Sequence, residues 1–281
     1  MKKDKLFFTD FITVGDNVDF EVNKDGSGVI TKIEERINHL SRKLPKVRGA
    51  SYRGERLEQV FAANIDNVVI ITSVHQPEFN NRVLDRFMVA AESSHLNIII
   101  VINKIDLDES SIANKWLALY NSIGYKIILT SVKTNDGISS LKKEISGARN
   151  LFWGHSGVGK SSLLNKLYPE LNLRIGEVSL FSSKGTHTTV TSLLKKVELD
   201  TYIIDTPGIK EIDPYGIQKA DLGHYFIEFT NYINNCKFNT CTHHHEPGCE
   251  VIKAVESNLI SEDRYDSYLR ILDTIEDDIY F

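Results

Sequence analysis

The sequence predicts a multidomain protein. It reads as an N-terminal β-barrel, a central α/β P-loop domain and a C-terminal, mostly helical, metal-binding region. Three observations carry this. Short strand-like runs without helical periodicity fill the chain to about residue 62; strands and helices alternate from Asp66 around a glycine-rich phosphate loop; and all three cysteines fall between Cys236 and Cys249. The expected boundaries are 1–62, 63–212 and 213–281.

Composition sets the outer limits. The 281 residues are 41% hydrophobic and 25% charged, the values of a soluble globular chain with room for several small domains. The longest apolar run, around Leu96 to Ile102, suits a buried strand and is too short for a membrane span. Met1-Lys2-Lys3-Asp4-Lys5 leads into no signal-peptide core, so a cytoplasmic location is expected. The net charge of −5 hides an asymmetry. Thr31 to Arg56 holds eight basic residues (Lys32, Arg36, Arg42, Lys43, Lys46, Arg48, Arg53, Arg56) against three acidic ones, whereas nine acidic and three basic residues follow from Glu250. A basic segment on an acidic chain fits docking on a polyanion, and equally fits a solvated loop.

In the first unit, Phe11–Val14, Asn17–Val22, Gly28–Ile33 and Leu57–Ala62 read as strands, separated by turn signals at Val14-Gly15-Asp16-Asn17 and Lys24-Asp25-Gly26-Ser27-Gly28. A small five-stranded barrel accommodates them, and the OB-fold is the commonest such barrel that binds nucleic acid. Arg42 to Arg56 then reads as a long basic loop.

In the second unit, strands are expected at Val68–Val74, Asn97–Ile102, Lys126–Ser131, Asn150–Trp153, Leu193–Glu198 and Thr201–Ile204, with helices at Asn81–Ser94, Ser110–Ile123, Ile138–Ile145 and Lys160–Leu167. Such a mostly parallel sheet places ligands at the carboxyl ends of its strands. Gly154-His155-Ser156-Gly157-Val158-Gly159-Lys160-Ser161 fits G-x-x-x-x-G-K-[ST], after a strand and opening a helix that continues through Ser162. Its backbone N–H groups converge on phosphate, Lys160 reaches the β- and γ-phosphates, and Ser161 is placed for Mg²⁺. Asp205-Thr206-Pro207-Gly208 fits D-x-x-G at a strand end, with Asp205 for Mg²⁺ and the Gly208 N–H for the γ-phosphate. Between them, the polar stretch Lys184-Gly185-Thr186-His187-Thr188-Thr189 looks like a GTPase switch, and spacing does not choose its Mg²⁺ ligand among Thr186, Thr188 and Thr189. Read alone, His187 is a solvated loop histidine.

Asn103-Lys104-Ile105-Asp106 fits N-K-x-D, whose aspartate accepts from the guanine N1–H and amino donors that adenine lacks. Ser131-Val132-Lys133 follows about 25 residues later and resembles the S-A-K element that meets guanine O6. The guanine reader, however, precedes the phosphate loop by about fifty residues, where an ordinary GTPase has it following. The motif order is circularly permuted.

In the third unit, three thiols and a nearby imidazole within so short a window argue for structural Zn²⁺ rather than a disulfide framework. The candidates are Cys236, Cys241 and Cys249 with one of His243, His244 and His245, a choice chemistry alone leaves open. So tight a segment builds no core of its own, so the metal would supply its folding energy.

Taken together, these residues resemble the circularly permuted ribosome small subunit-dependent GTPase A family, over essentially the whole chain. Ala63-Asn64-Ile65-Asp66, Phe79-Asn80, Asp85-Arg86, Gly185-x-His187-Thr188-Thr189 and Glu246-Pro247-Gly248-Cys249 also match it. The resemblance implies an N-terminal OB-fold and a C-terminal zinc domain. It implies GTP hydrolysis with Mg²⁺, stimulated by the small ribosomal subunit during late maturation, with rRNA binding; a monomer is expected. It implies His243 as the fourth zinc ligand and Thr189 as the switch threonine on Mg²⁺. Ile209 stands where many GTPases carry a water-orienting Gln, and the resemblance assigns that task to His187. Val132, where Ala is usual, touches only a backbone contact. A nucleotide-gated RNA placeholder and a metabolic P-loop kinase are the competing functions; the guanine reader argues against the kinase.

Overall fold

The computed structural model describes residues 12–43, 58–173, 193–205 and 215–275. The chain opens with β1 (Val18–Val22) and β2 (Gly28–Ile33), an antiparallel hairpin, then β3 (His39–Lys43) and β4 (Glu58–Ala63), a second antiparallel pair. There follow β5 (Asn67–Ser73), α1 (Asn81–Glu92), β6 (Asn97–Asn103), α2 (Ile112–Ile123), β7 (Lys126–Leu129), α3 (Ile138–Glu144), β8 (Arg149–Trp153) and α4 (Lys160–Leu167). Then come β9 (Leu193–Glu198) and β10 (Thr201–Asp205), and the helices α5 (Thr230–Ile233), α6 (Glu250–Glu256) and α7 (Glu262–Thr274).

One six-stranded sheet of order β7-β6-β5-β8-β10-β9 organises the centre, parallel except for β9, which runs antiparallel to β10. Its strands are apolar on both faces because helices cover both. Val68 and Ile70 of β5 face α1 and α2 with Leu84, Phe87, Trp116 and Tyr120; Val69 and Ile71 face α3 and α4 with Leu141, Leu163 and Leu164. That alternation is the pleat of a strand buried on two sides. A third core, of Phe226, Phe229, Val251, Tyr268 and Ile271, gathers the C-terminal helices and takes in Val89 of α1.

The central elements expected from sequence all form, with ends shifted by a residue or two. The N-terminal region differs. Of the expected Phe11–Val14 strand, Phe11 lies outside the described residues and 12–14 form no strand, although Val14 O accepts from the Ala63 N–H at 2.9 Å; Thr13 to Asp16 is a turn, in which the Thr13 N–H donates to Asp16 Oδ2 at 2.8 Å and the Asp16 N–H donates to Thr13 O at 3.2 Å. Arg42 and Lys43, read as the start of a loop, lie in β3, where Arg42 Nε donates to Gln59 Oε1 at 3.0 Å. Among the described residues β1 to β4 form two separate two-stranded sheets. Lys46, Arg48, Arg53 and Arg56 lie outside the described residues. No helix among the described residues is long and apolar enough to cross a membrane.

Candidate nucleotide and metal sites

The phosphate loop springs from the carboxyl end of β8, at the middle of the sheet, and leads into α4. Two of its glycines are required by close approach. A Cβ at Gly154 would lie 2.2 Å from Ile71 O of the neighbouring strand, and one at Gly159, whose φ is +93°, would lie 2.4 Å from Asn103 Nδ2. Lys160 and Ser161 open the first turn of α4 and Ser162 follows, so free backbone N–H groups and the positive helix end meet at the loop. Asp205 ends β10 in register with Phe152 of β8 and is buried. The backbone at Asp205 therefore lies at the strand end next to the one that feeds the loop; a carboxylate and the Ser161 hydroxyl are the hard-oxygen donors Mg²⁺ prefers. His155, Ser156 and Val158 line a cavity of about 220 Å³ shared with Pro77 and with Leu84 and Phe87 of α1. His187, Thr189 and Gly208 lie outside the described residues.

The guanine reader hangs from the end of β6. Asn103 is buried and does no reading itself: Nδ2 donates to Val158 O at 3.0 Å, and Oδ1 accepts from Thr130 Oγ1 at 3.0 Å. One amide thus ties the reader, the phosphate loop and the end of β7. Lys104 turns the chain at φ +63°, and its ammonium donates to Gly157 O at 2.6 Å and to Gln76 O. Partial burial lowers the Lys104 pKa against the pull of Asp106. Asp106 is exposed; its Oδ1 accepts from Ser131 Oγ at 2.6 Å, which fixes the carboxylate for a bidentate donor. The Ser131 N–H is committed to Asp136 O at 3.1 Å, Val132 is half-buried, and Lys133 is exposed. Sequence reasoning missed Thr130 and Gln76. Neither belongs to a motif, and Gln76 acts through its backbone carbonyl, which leaves no side-chain signal.

The ligand atoms of Cys236, Cys241, His243 and Cys249 all lie within 4.8 Å of one another. Cys236 Sγ and His243 Nδ1 are 3.6 Å apart, His243 Nδ1 and Cys249 Sγ 3.4 Å, and Cys236 Sγ and Cys249 Sγ 3.9 Å. A tetrahedron with Zn–S of about 2.3 Å and Zn–N of about 2.0 Å has edges of about 3.8 Å and 3.5 Å, so the donor set fits Zn²⁺. His243 is the histidine turned inward; His244 and His245 are exposed. A Cβ at Gly223 would lie 2.9 Å from the His243 ring, so that glycine admits the imidazole. Burial pushes the Cys241 thiol up to about 12 and lowers His243. Thiolates in that setting need a cation, and a neutral imidazole is the ligand form.

The RsgA GTPase family model matches residues 33–215. The small ribosomal subunit biogenesis GTPase RsgA of Chlorobaculum parvum is 42% identical over 96% of this chain and 87% of its own length. The chain belongs to the RsgA GTPase family. The corresponding RsgA 2 of Bacteroides thetaiotaomicron is 39% identical over 97% of this chain and 86% of its own. Among solved structures, YjeQ from Thermotoga maritima superposes with a TM-score of 0.75 at 35% identity, covering 94% of this chain and 84% of that one. YloQ, described as a circularly permuted GTPase, superposes with a TM-score of 0.70 at 29% identity, covering 96% and 83%. The central domain therefore has the circularly permuted GTPase fold, and the protein is a GTP-hydrolysing enzyme.

Proposed function

We propose that this chain is a GTPase of small ribosomal subunit biogenesis whose hydrolysis is switched on by the bound subunit. The observation that carries the reading is spatial. The permuted guanine reader and the phosphate loop stand at the carboxyl ends of the interior strands β6 and β8 and are joined by Asn103 and Lys104, so the rotated chain order still brings the base-binding and phosphate-binding elements together. Gly154 to Ser162 hold the phosphates, with Lys160 supplying charge. Lys104 and Asp106, with Ser131, Val132 and Lys133, hold the base, and Asn103 braces the loop that carries them. Ser161, Thr189 and Asp205 are the Mg²⁺ ligands and the Gly208 N–H the γ-phosphate contact; bound there, Mg²⁺ neutralises charge on the β- and γ-oxygens. His187 orients the attacking water, since Ile209 offers no polar group.

The metal is one structural Zn²⁺ on Cys236, Cys241, His243 and Cys249. The unit at 1–62 is an OB-type barrel that grips rRNA through its basic residues, 63–212 is the GTPase domain, and 213–281 is the zinc-binding helical unit. The names of the C. parvum and B. thetaiotaomicron relatives support the partner. The protein acts as a cytoplasmic monomer with GTP, GDP and the small subunit as its partners. Cosedimentation with purified small subunits tests this. Binding should be stronger with a non-hydrolysable GTP analogue than with GDP, and should weaken steeply with salt as phosphate contacts release counterions. Equal binding in both nucleotide states would contradict the switch.

A further inference from the structure

The Asp85-Arg86 segment has no place in either site, yet Asp85 sits at the most buried charge cluster described. Arg264 of α7 is 1% exposed and Asp85 of α1 is 0% exposed. Arg264 Nη1 donates to Asp85 Oδ1 at 2.5 Å, while Nε and Nη2 donate to Glu228 at 2.6 and 3.1 Å. Tyr120 of α2 donates to the same Asp85 oxygen at 2.8 Å, and the guanidinium lies 4.5 Å from the Phe226 ring. A charge trio removed from water is a poor source of net stability, but it fixes register sharply, because any slip leaves a buried charge uncompensated.

Residues of α1 and α7 that flank the buried trio reach different sites. On the metal side, Tyr265 and Tyr268 of α7 donate to the backbone oxygens of His243 and Thr242 at 2.7 and 2.6 Å. On the nucleotide side, Phe87 of α1 packs 4.6 Å from Trp153, the residue before Gly154, and 6.1 Å from the His155 ring of the phosphate loop. Asn81, Arg82 and Lys115 clamp the flank: Asn81 donates to Asp263 O and Ser267 Oγ, and Arg82 and Lys115 pair with Asp266 and Asp263 at 2.9 and 2.8 Å.

We infer that Arg264 is a positioning residue that couples the two sites: through Asp85 it sets α1 against the phosphate loop, and through α7 it sets the metal loop, so nucleotide occupancy and zinc retention strengthen one another. This rests on the GTP and zinc assignments above. Linkage makes the effect reciprocal, so it is read on the metal without measuring turnover. The full chain, loaded with zinc, is titrated with a chelating dye alone, with saturating GDP, and with ATP as control. GDP should raise zinc affinity at least about fivefold, and ATP should not. Tyr265→Phe with Tyr268→Phe keeps the buried trio and removes only the two hydroxyls on the metal loop; it should bring the factor close to one and, by the same linkage, lower GDP affinity of the zinc-loaded chain by no more than that factor. Arg264→Lys, which keeps the charge and loses the fork, should also lower the factor. Zinc affinity unchanged by bound GDP, or a full factor in the double Phe variant, overturns the coupling. A parent chain that binds no GDP or no zinc overturns the site assignments, and this inference with them.

Discussion

Replacing Asn103 by Ala tests whether the permuted halves of the site act as one. In the parent the buried amide donates to Val158 O and accepts from Thr130 Oγ1, each at 3.0 Å. Alanine removes both bonds and strands a buried carbonyl on the phosphate loop and a buried hydroxyl at the end of β7. Each group left without its partner costs about 1–3 kcal/mol, and the Thr130 hydroxyl can rotate toward other acceptors, so a total of about 2–4 kcal/mol is expected. The two bonds join the loops that hold base and phosphate, so much of the loss belongs to the nucleotide-bound arrangement. GDP affinity, followed with a fluorescent analogue, should fall at least about tenfold, which corresponds to about 1.4 kcal/mol. The remainder should appear as a lower urea midpoint with unchanged slope. Asn103→Asp keeps the acceptor for Thr130 but sets a carboxylate against Val158 O, and should bind no better than the alanine form. An Ala variant that binds GDP within about twofold of the parent, at parental stability, would refute the bridging role.

Three further outcomes follow from the same geometry. Asp106→Asn should move preference from guanine toward xanthine nucleotides in a competition assay, because the carboxylate that Ser131 holds reads a donor pair. Cys241→Ser should lose its zinc, against one per chain in the parent by elemental analysis, and with it the order of the 236–249 segment in hydrogen exchange. Burial pushes the Asp16 carboxyl upward, but the Arg36 fork at 2.7 and 2.9 Å and the Thr13 N–H outweigh it and hold its pKa below the usual range. A lowered folded pKa contributes stability that is present above the unfolded value of about 3.9 and is lost as pH falls through the folded one. Asp16→Asn should therefore lower stability at pH 7, and the gap to the parent should close below about pH 4 in denaturation curves.

The central sheet was legible because both its faces are covered, which writes unbroken apolar runs such as Ile98–Ile102 into the chain, and because each motif sits at a strand end. β3 was not legible. His39 to Lys43 buries only Leu40 and carries two of the basic charges, so Arg42 and Lys43 read as the start of a loop. In α7 the buried face holds Arg264 and Ser267 beside Tyr268, Ile271 and Leu272, so no unbroken apolar stripe marks it in the sequence. A charged residue is recognisable as core only through partners that sequence does not place beside it; Asp85 is 179 positions away. Chemistry alone leaves His243, His244 and His245 open and only the resemblance chooses His243; the backbone, at φ +52°, carries that residue inward.

The most direct test of the account is GTP turnover measured alone and with saturating purified small ribosomal subunits. With Ile209 after D-x-x-G and water orientation left to His187, turnover of the isolated protein should be slow. Completing the site through a bound partner should raise it by about a hundredfold or more, and His187→Ala should abolish the stimulated rate while leaving GTP affinity near that of the parent. Subunits that bind the protein yet leave its turnover unchanged would contradict the account.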